Sequence, residues 1–306
     1  MALSRRDLFA ATAGAAVSRL GLPVAAPGQP LRFAHMNDFH IQPEARAGEG
    51  VAKAFSHMRE RNPKVEFVFG GGDLVMAGQN VEEARMRVQM DLLQRTLKEG
   101  MDRPFYPVIG NHDIWGWNKA GSKTTGNEPL WGKRWFQDAF ELASTNFAFE
   151  KGGWKFVVLD TVQPKGTAYE GLVDDAQLDW LKGQVAGTTP CVIVSHIPLF
   201  APGNFVHAWN EEAGQWRMGA NMQVRNFLAV KEVFDRQPNV KLALSAHTHL
   251  LDRYDLNGVA YLNNGAVCGN WWRGRYRDFD PGYVTIDLWP DGKWTHEFHR
   301  WGWTAE

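Results

Sequence analysis

From Leu31 onward, short apolar runs alternate with longer stretches whose apolar residues recur at helical spacing. Leu31-Arg32-Phe33-Ala34-His35-Met36 alternates as a strand does, Val65 to Phe69 predicts a second strand, and Phe105 to Ile109 a third. Between them, Val51, Phe55 and Met58 mark a helix within Glu44 to Arg61, and Met86, Met90, Leu93 and Leu97 form one apolar stripe on another. The second half repeats the alternation, with strands at Trp154–Leu159, Cys191–Ser195 and Leu242–Leu244 and helices at Asp175–Val185 and Val224–Phe234. A β-rich part runs from Arg253 to Thr295, with turns at Asn257-Gly258 and Pro290-Asp291-Gly292. Such alternation predicts βαβ units in an α/β fold, with chemistry where the strands end.

Two long irregular stretches, Ile114 to Leu130 and Leu199 to Met222, interrupt the pattern. Stretches of this length are uncommon in compact domains unless they are lids, binding loops or disordered. No repeat or interdomain linker is visible, so one domain is the economical reading of 306 residues of which 44% are hydrophobic. The N-terminus is a separate object. Arg5-Arg6 precedes a weakly apolar, alanine-rich segment and a small-residue exit at Ala25-Ala26, which reads as a twin-arginine export signal over residues 1–26. That predicts a partner in the twin-arginine export machinery and a periplasmic or secreted location. The apolar run, interrupted by Arg19, is too short for a membrane span of ~20 residues.

Charge and cysteine content narrow the picture further. A formal charge of −1 carries no basic bias, so composition indicates no nucleic-acid partner. Cys191 and Cys268 each sit beside a strand-like run and are expected to be buried free thiols, although pairing stays open. The fourteen tryptophans are read as core and cleft lining.

The decisive pattern lies in the residues that close each apolar strand. The first ends in Asp38-Phe39-His40, the second in Gly72-Asp73, the third in Gly110-Asn111-His112-Asp113, the fourth in Ser195-His196, and the fifth in Ala246-His247-Thr248-His249. Carboxylate, amide oxygen and imidazole suit Mn, Fe, Zn, Co or Ni, and the lack of thiolates in these motifs argues against a structural zinc site. Strand alternation would point Asp38 and His40 to one side, and the glycines before Asp73 would let its carboxylate come close enough to bridge two ions. One Asp-x-His or His-x-His is weak evidence; five motifs in series at strand ends are strong. His35, His57, His296 and His299 lie outside them and read as structural or solvated.

In these motifs and their order the chain resembles the calcineurin-like metallophosphoesterases, over roughly Leu31 to His249. The later Gly265-Ala266-Val267, Asn270-Trp271-Trp272 and Pro281-Gly282-Tyr283 look like a tail found in some exported bacterial members. The resemblance implies a four-layer α/β/β/α sandwich, two mixed sheets flanked by helices, over residues 31–303 including a β-rich part at 250–303. It implies two divalent metal ions, one held by Asp38, His40, Asp73 and His249, the other by Asp73, Asn111, His196 and His247. His112 would stand beside the substrate phosphate as acid or charge stabiliser, oriented by Asp113. One departure is Ala246, where the family has glycine: a turn needing positive φ there would displace His247. Leu74-Val75-Met76 carries no tyrosine after Asp73, so the tyrosinate ligand of purple acid phosphatases is not expected.

The activity so implied is hydrolysis of a small phosphate ester by a hydroxide shared between two ions ~3.5–4 Å apart. A phosphodiester, a cyclic nucleotide among the candidates, is favoured over a monoester by charge balance. Trp115, Trp117, Trp271, Trp272 and Arg273 are candidate substrate contacts, and His207 a candidate lid residue. The alternative is an exported metal-binding or phosphate-ester-binding protein without turnover; it would fit loss of His112 or of a bridging ligand, and both are present. Zinc hydrolases of other folds would need His-x-His-x-Asp-His or His-Glu-x-x-His, and neither string occurs.

Overall fold

A computed structural model describes residues 28–305; the signal-like segment read at 1–26 lies outside the described residues. Two large mixed sheets form the centre. The first has the order β15-β14-β1-β2-β3, from β1 (Leu31–Met36), β2 (Phe67–Gly70), β3 (Phe105–Pro107), β14 (Gly282–Leu288) and β15 (Trp294–Arg300). Within it β1, β2 and β3 are parallel, and β14 returns antiparallel to β1 with Leu31 opposite Leu288. The second has the order β12-β13-β11-β8-β5-β4, from β4 (Phe147–Lys151), β5 (Trp154–Leu159), β8 (Cys191–Ser195), β11 (Val240–Ser245), β12 (Leu251–Leu256) and β13 (Val259–Asn264). Here β5, β8, β11 and β13 are parallel, with antiparallel edge strands β4 and β12. Two hairpins stand apart: β6 (Val162–Lys165) with β7 (Ala168–Gly171), and β9 (Trp209–Asn210) with β10 (Gln215–Trp216).

The period-two pleat explains why the layers close. Phe33, Phe67, Phe69, Phe156, Val158, Val192, Val194, Leu242 and Leu244 form one buried cluster between the sheets. Their neighbours Ala34, Val68, Val157, Ile193 and Ala243 belong to the other cluster, shared with the helices. Strands apolar on both faces read as continuous apolar runs, which is how β2 and β8 appear in the sequence. The inter-sheet layer is aromatic: Phe33 stacks on Phe67 at 5.0 Å and meets Phe156 edge-on at 5.5 Å. Outside the first sheet lie α1 (Ala47–Arg61) and α2 (Glu83–Gly100); outside the second lie α3 (Asp175–Val185) and α4 (Phe227–Asp235). The apolar stripe predicted for α2 is all buried: Met86, Met90, Leu93 and Leu97.

Element bounds moved for physical reasons. The first helix begins at Ala47 instead of near Glu44, because Arg46 takes a left-handed backbone (φ 52°) at its start. Val224 precedes α4 because it pairs with Gly171 as an isolated bridge and its N–H bonds the Pro198 carbonyl. Asn257 (φ 51°) and Gly258 (φ 83°) both adopt the positive φ of a tight hairpin between β12 and β13, as expected from that dipeptide. The β6–β7 hairpin was not foreseen, since Pro164 and Gly166 break any strand-like run there. Cys191 and Cys268 are buried and free.

Phe156→Ala should remove the ring that three other phenylalanines contact across the sheets, costing ~3–5 kcal/mol of stability. Val88→Ala on the exposed face of α2 should stay within about 0.5 kcal/mol of the parent. Urea midpoints of the two variants test the assignment of the inter-sheet layer.

Candidate metal centre

The two sheets present the ends of β1, β2, β8 and β11, and the loop after β3, to one place. Asp38 (0% exposed), His40, Asp73, Asn111, His196 and His249 are all buried there, and His247 is partly exposed. The segments after β1 and β2 run side by side: Asp38 N–H bonds the Gly72 carbonyl at 3.0 Å, and His40 N–H bonds the Asp73 carbonyl at 2.9 Å. Asp38 (φ 53°) and His40 (φ 41°) are brought together by left-handed backbone rather than by the strand alternation expected for them. Asp73, His247 and His249 also have positive φ. Such conformations cost a non-glycine residue ~1–2 kcal/mol each and gather at functional sites.

Ala246 itself is not among the positive-φ residues, so the alanine that replaces the family's glycine carries no strain there. Glycine is required instead in the second and third motifs. A Cβ on Gly71 would collide with Asn37 Oδ1, one on Gly72 with the His196 ring at Nδ1, and one on Gly110 with the Asp73 backbone nitrogen.

The donor atoms form two neighbouring groups that share Asp73. His40 Nε2 lies 3.2 Å from His249 Nε2, with Asp38 Oδ1 at 3.9 and 3.5 Å from these two nitrogens and Asp73 Oδ2 at 3.7 Å from His40 Nε2. On the other side His196 Nε2 lies 3.2 Å from Asp73 Oδ1 and 3.2 Å from Asn111 Oδ1, and Asp73, His196 and His247 offer ligand atoms within 4.8 Å of one another. Cys268 Sγ is within 4.8 Å of donors on His40 and His249, a proximity the sequence did not reveal.

Backbone carbonyls fix the tautomers. His196 Nδ1 is bonded to the Gly71 carbonyl at 2.9 Å and His249 Nδ1 to the Gly269 carbonyl at 2.5 Å, which leaves both Nε2 atoms turned inward. Asp38 Oδ1, His40 Nδ1 and both ring nitrogens of His247 are buried with no hydrogen-bond partner. Buried polar atoms of this kind are costly unless something pairs them, and divalent cations are what this donor set fits.

The charges respond strongly to one another. Burial opposes the charge on Asp73, yet His196, His112 and His40 hold its carboxyl well below the usual range. Burial also disfavours a charged His196, but Asp73 overrides it and raises that imidazole to about 9. His247 is pushed down to about 3, first by burial and then by the His196 charge.

His112 adjoins this set, with a ring nitrogen within 4.8 Å of donors on His40 and Asp73, but is more exposed than they are. Its side chain is 31% exposed, its Nε2 lies 3.9 Å from Asp73 Oδ2, and its Nδ1 is bonded to the Met76 carbonyl. The expected orienting contact from Asp113 is absent: Asp113 accepts from the backbone N–H groups of Leu74, Val75 and Gly110. Its carboxylate ties the loops after β2 and β3 together, because those three N–H groups converge on it before the ring of His112 can. Burial and the neighbouring Asp73 charge raise its pKa to about 7.

The aromatic candidates divide. Trp115 and Trp117 are core residues; Trp115 donates to the Val81 carbonyl and meets Trp135 edge-on at 5.1 Å. Trp272 is buried too, donating to the Phe39 and His40 carbonyls with its ring against Gly50. Arg273 is exposed and lines a cavity with Arg46 and Trp303 that contains none of the donors. Trp271 alone adjoins the centre, 4.6 Å from the His249 ring and 5.8 Å from that of His40.

Two cavities of about 220 Å3 flank the donors. One is lined by Gln79, Asn80, Asn111, His112, Asn118 and Tyr169; the other by His207, Arg217, Thr248, Tyr276 and Arg277. Tyr169, on the unforeseen β7, and Tyr276 carried no sequence signal beyond being aromatic. A larger cavity of about 800 Å3 lies between α1 and α2 and includes no donor residue.

Comparison with known proteins agrees with this geometry. Residues 31–251 match the family described as calcineurin-like phosphoesterase. A 3′,5′-cyclic-nucleotide phosphodiesterase of Nostoc sp. is 23% identical over 285 residues, covering 89% of this chain and 92% of that protein. A dimetal phosphatase from Danio rerio superposes with a TM-score of 0.56 at 15% identity, covering 85% of this chain and 93% of its own. Purple acid phosphatase from yellow lupin gives 0.58 at 15% identity, covering 92% of this chain and 54% of its own. At that identity the two structures establish the shared fold.

Asp252, which comes shortly after the last histidine pair, accepts from Gly203 N–H at 2.9 Å and anchors the 199–222 stretch. Burial raises its pKa from 3.8 to about 6, so the fold favours its protonated form. Its contribution is complete below about pH 4 and is lost as pH rises through about 6. Asp252→Asn should therefore gain in urea midpoint relative to the parent between those limits; a difference that does not change with pH would refute the assignment.

Proposed function

The chain belongs to the calcineurin-like phosphoesterase family, hydrolases of phosphoric ester bonds, and we propose that its buried cluster holds two divalent metal ions and cleaves a phosphodiester. The observation that carries this reading is the convergence of seven donor side chains, several of whose buried atoms lack any partner. One ion would be held by Asp38, His40, Asp73 and His249, the other by Asp73, Asn111, His196 and His247, with Mn, Fe, Zn, Co or Ni as candidates. Bound there, the ions would stabilise charge on the phosphate and lower the proton affinity of the attacking water.

The protein's own contribution is placement and proton handling. Nδ1 of His112 is committed to the Met76 carbonyl, so Nε2 is the atom free to serve the departing ester oxygen as acid or charge stabiliser. Asp113 ties the loop that carries that histidine to the loop after β2, accepting from Gly110 N–H and Leu74 N–H. Diester preference is supported by the relative in Nostoc and by the amide and hydroxyl lining beside His112, which suits an uncharged second substituent. Aromatic contact would come from Trp271 and Tyr276 in place of Trp115, Trp117 and Trp272.

The reading extends to export. Arg5-Arg6 and the alanine-rich segment after them support delivery by the twin-arginine machinery to the periplasm or beyond, after folding and metal loading. Among the described residues no helix is long and apolar enough to cross a membrane.

Chelation should abolish hydrolysis of bis(p-nitrophenyl) phosphate, and one of the five metals should restore it. His112→Ala should lower kcat by ~10²–10⁴ with metal content retained, whereas Asp73→Ala should lose both metal and activity; full activity in Asp73→Ala would reject the centre. Metal uptake without hydrolysis of any phosphate ester would favour a binding protein instead. For export, the Arg5→Lys, Arg6→Lys double variant should stay in the cytoplasm on fractionation.

A further inference from the structure

The two cavities beside the donors differ in charge. The one next to His112 is walled by amides, hydroxyls and backbone. The other, against the His247–His249 turn, brings Arg217 and Arg277 together with His207, and no Asp or Glu lines it. Tyr276 forms the wall between it and the donors, its ring 5.5 Å from that of His249, and the Arg277 guanidinium lies over that tyrosine ring at 5.3 Å. Among the described residues neither Arg217 nor Arg277 has an ion pair, whereas neighbouring Arg275 is paired with Asp280 at 3.1 Å. Arg217 is positioned through its backbone, whose N–H bonds the Ala208 carbonyl at 2.8 Å.

Two exposed guanidinium groups lining one concavity with no acidic residue among its walls leave that concavity positive, which favours an anion. Guanidinium forks match the oxygens of a phosphate better than any other side chain does. We propose that this cavity is an anion subsite, and that the substrate is a phosphodiester bearing a second phosphate on the substituent that lies toward His249. The inference rests on the phosphodiester reading above. It assigns Arg217 and Arg277 to substrate selection, Tyr276 to the spacing between the two phosphates, and the 199–222 stretch to one wall of the subsite.

A matched pair of substrates tests it: thymidine 5′-(p-nitrophenyl phosphate) and the same compound with a 3′-phosphate, hydrolysed by the metal-loaded full chain. The parent should favour the 3′-phosphorylated compound by about tenfold in kcat/KM, through KM. In Arg217→Ala and Arg277→Ala the ratio should fall toward one, and Arg277→Lys should restore part of it. Calorimetry gives a readout independent of turnover: thymidine 3′,5′-bisphosphate should bind the parent about tenfold more tightly than thymidine 5′-monophosphate, and both alanine variants should lose that difference. Equal use and equal binding of each pair by the parent would overturn the subsite while leaving the phosphodiesterase reading intact. Failure to hydrolyse any phosphate ester, with the bisphosphate preference retained, would overturn that reading instead.

Discussion

The rest of the structure is arranged around one constraint: seven metal-type donors must meet in a buried space while their main chains stay satisfied. Burying Asp38 and Asp73 beside several imidazoles is unfavourable without compensation. Five of the donors moreover have positive φ, which no helix or strand would supply. The fold meets this demand by ending its parallel strands at the donors and lacing the loops together through backbone bonds, as between Asp38 and Gly72 or His40 and Asp73. The rigid aromatic layer between the sheets keeps those strand ends in register.

Around the donors a further set of contacts settles which atom of each ring looks inward. Gly71, Gly269 and Met76 contribute carbonyls to His196, His249 and His112, so three tautomers are chosen by main chain. Residues that look chemical in sequence turn out to be masonry: Trp272 bridges the Phe39 and His40 carbonyls, and Asp113 gathers three N–H groups. The division is physical, since a buried indole or carboxylate must find partners and the nearest partners are backbone.

Much of the centre was legible in the sequence because its donors come directly after apolar runs, and strand ends are where an α/β fold gathers chemistry. The seven donors could be read that way, and the burial of both cysteines from the apolar runs beside them, whereas the role of His112 came from the family resemblance. The backbone route to the donors could not: Asp38 and His40 looked like alternate strand positions but sit in left-handed turns, and the concern over Ala246 fell on the wrong residue. Nor could the walls of the two cavities beside the donors. Tyr169 lies on a hairpin whose Pro164 and Gly166 hide it, while Trp115 and Trp117 gave a signal that any tryptophan near a motif would give. Local pattern reports which face is apolar; it does not report which long-range neighbour an aromatic side chain will meet.

The tail segment after β13 carries a consequence for how the protein comes into being. Val267 N–H bonds the Asn37 carbonyl, Cys268 N–H bonds that of Asp38, and Trp272 sits on Gly50, so the first motif is braced by residues more than two hundred positions away. Closing so long a loop is slow compared with forming local helices. On a ribosome β1, β2 and β3 with α1 and α2 emerge well before that brace, and before β14 and β15 complete their sheet, so the first motif waits for distant partners. The first motif is thus held in place late, by contacts between residues far apart in the chain rather than by local ones.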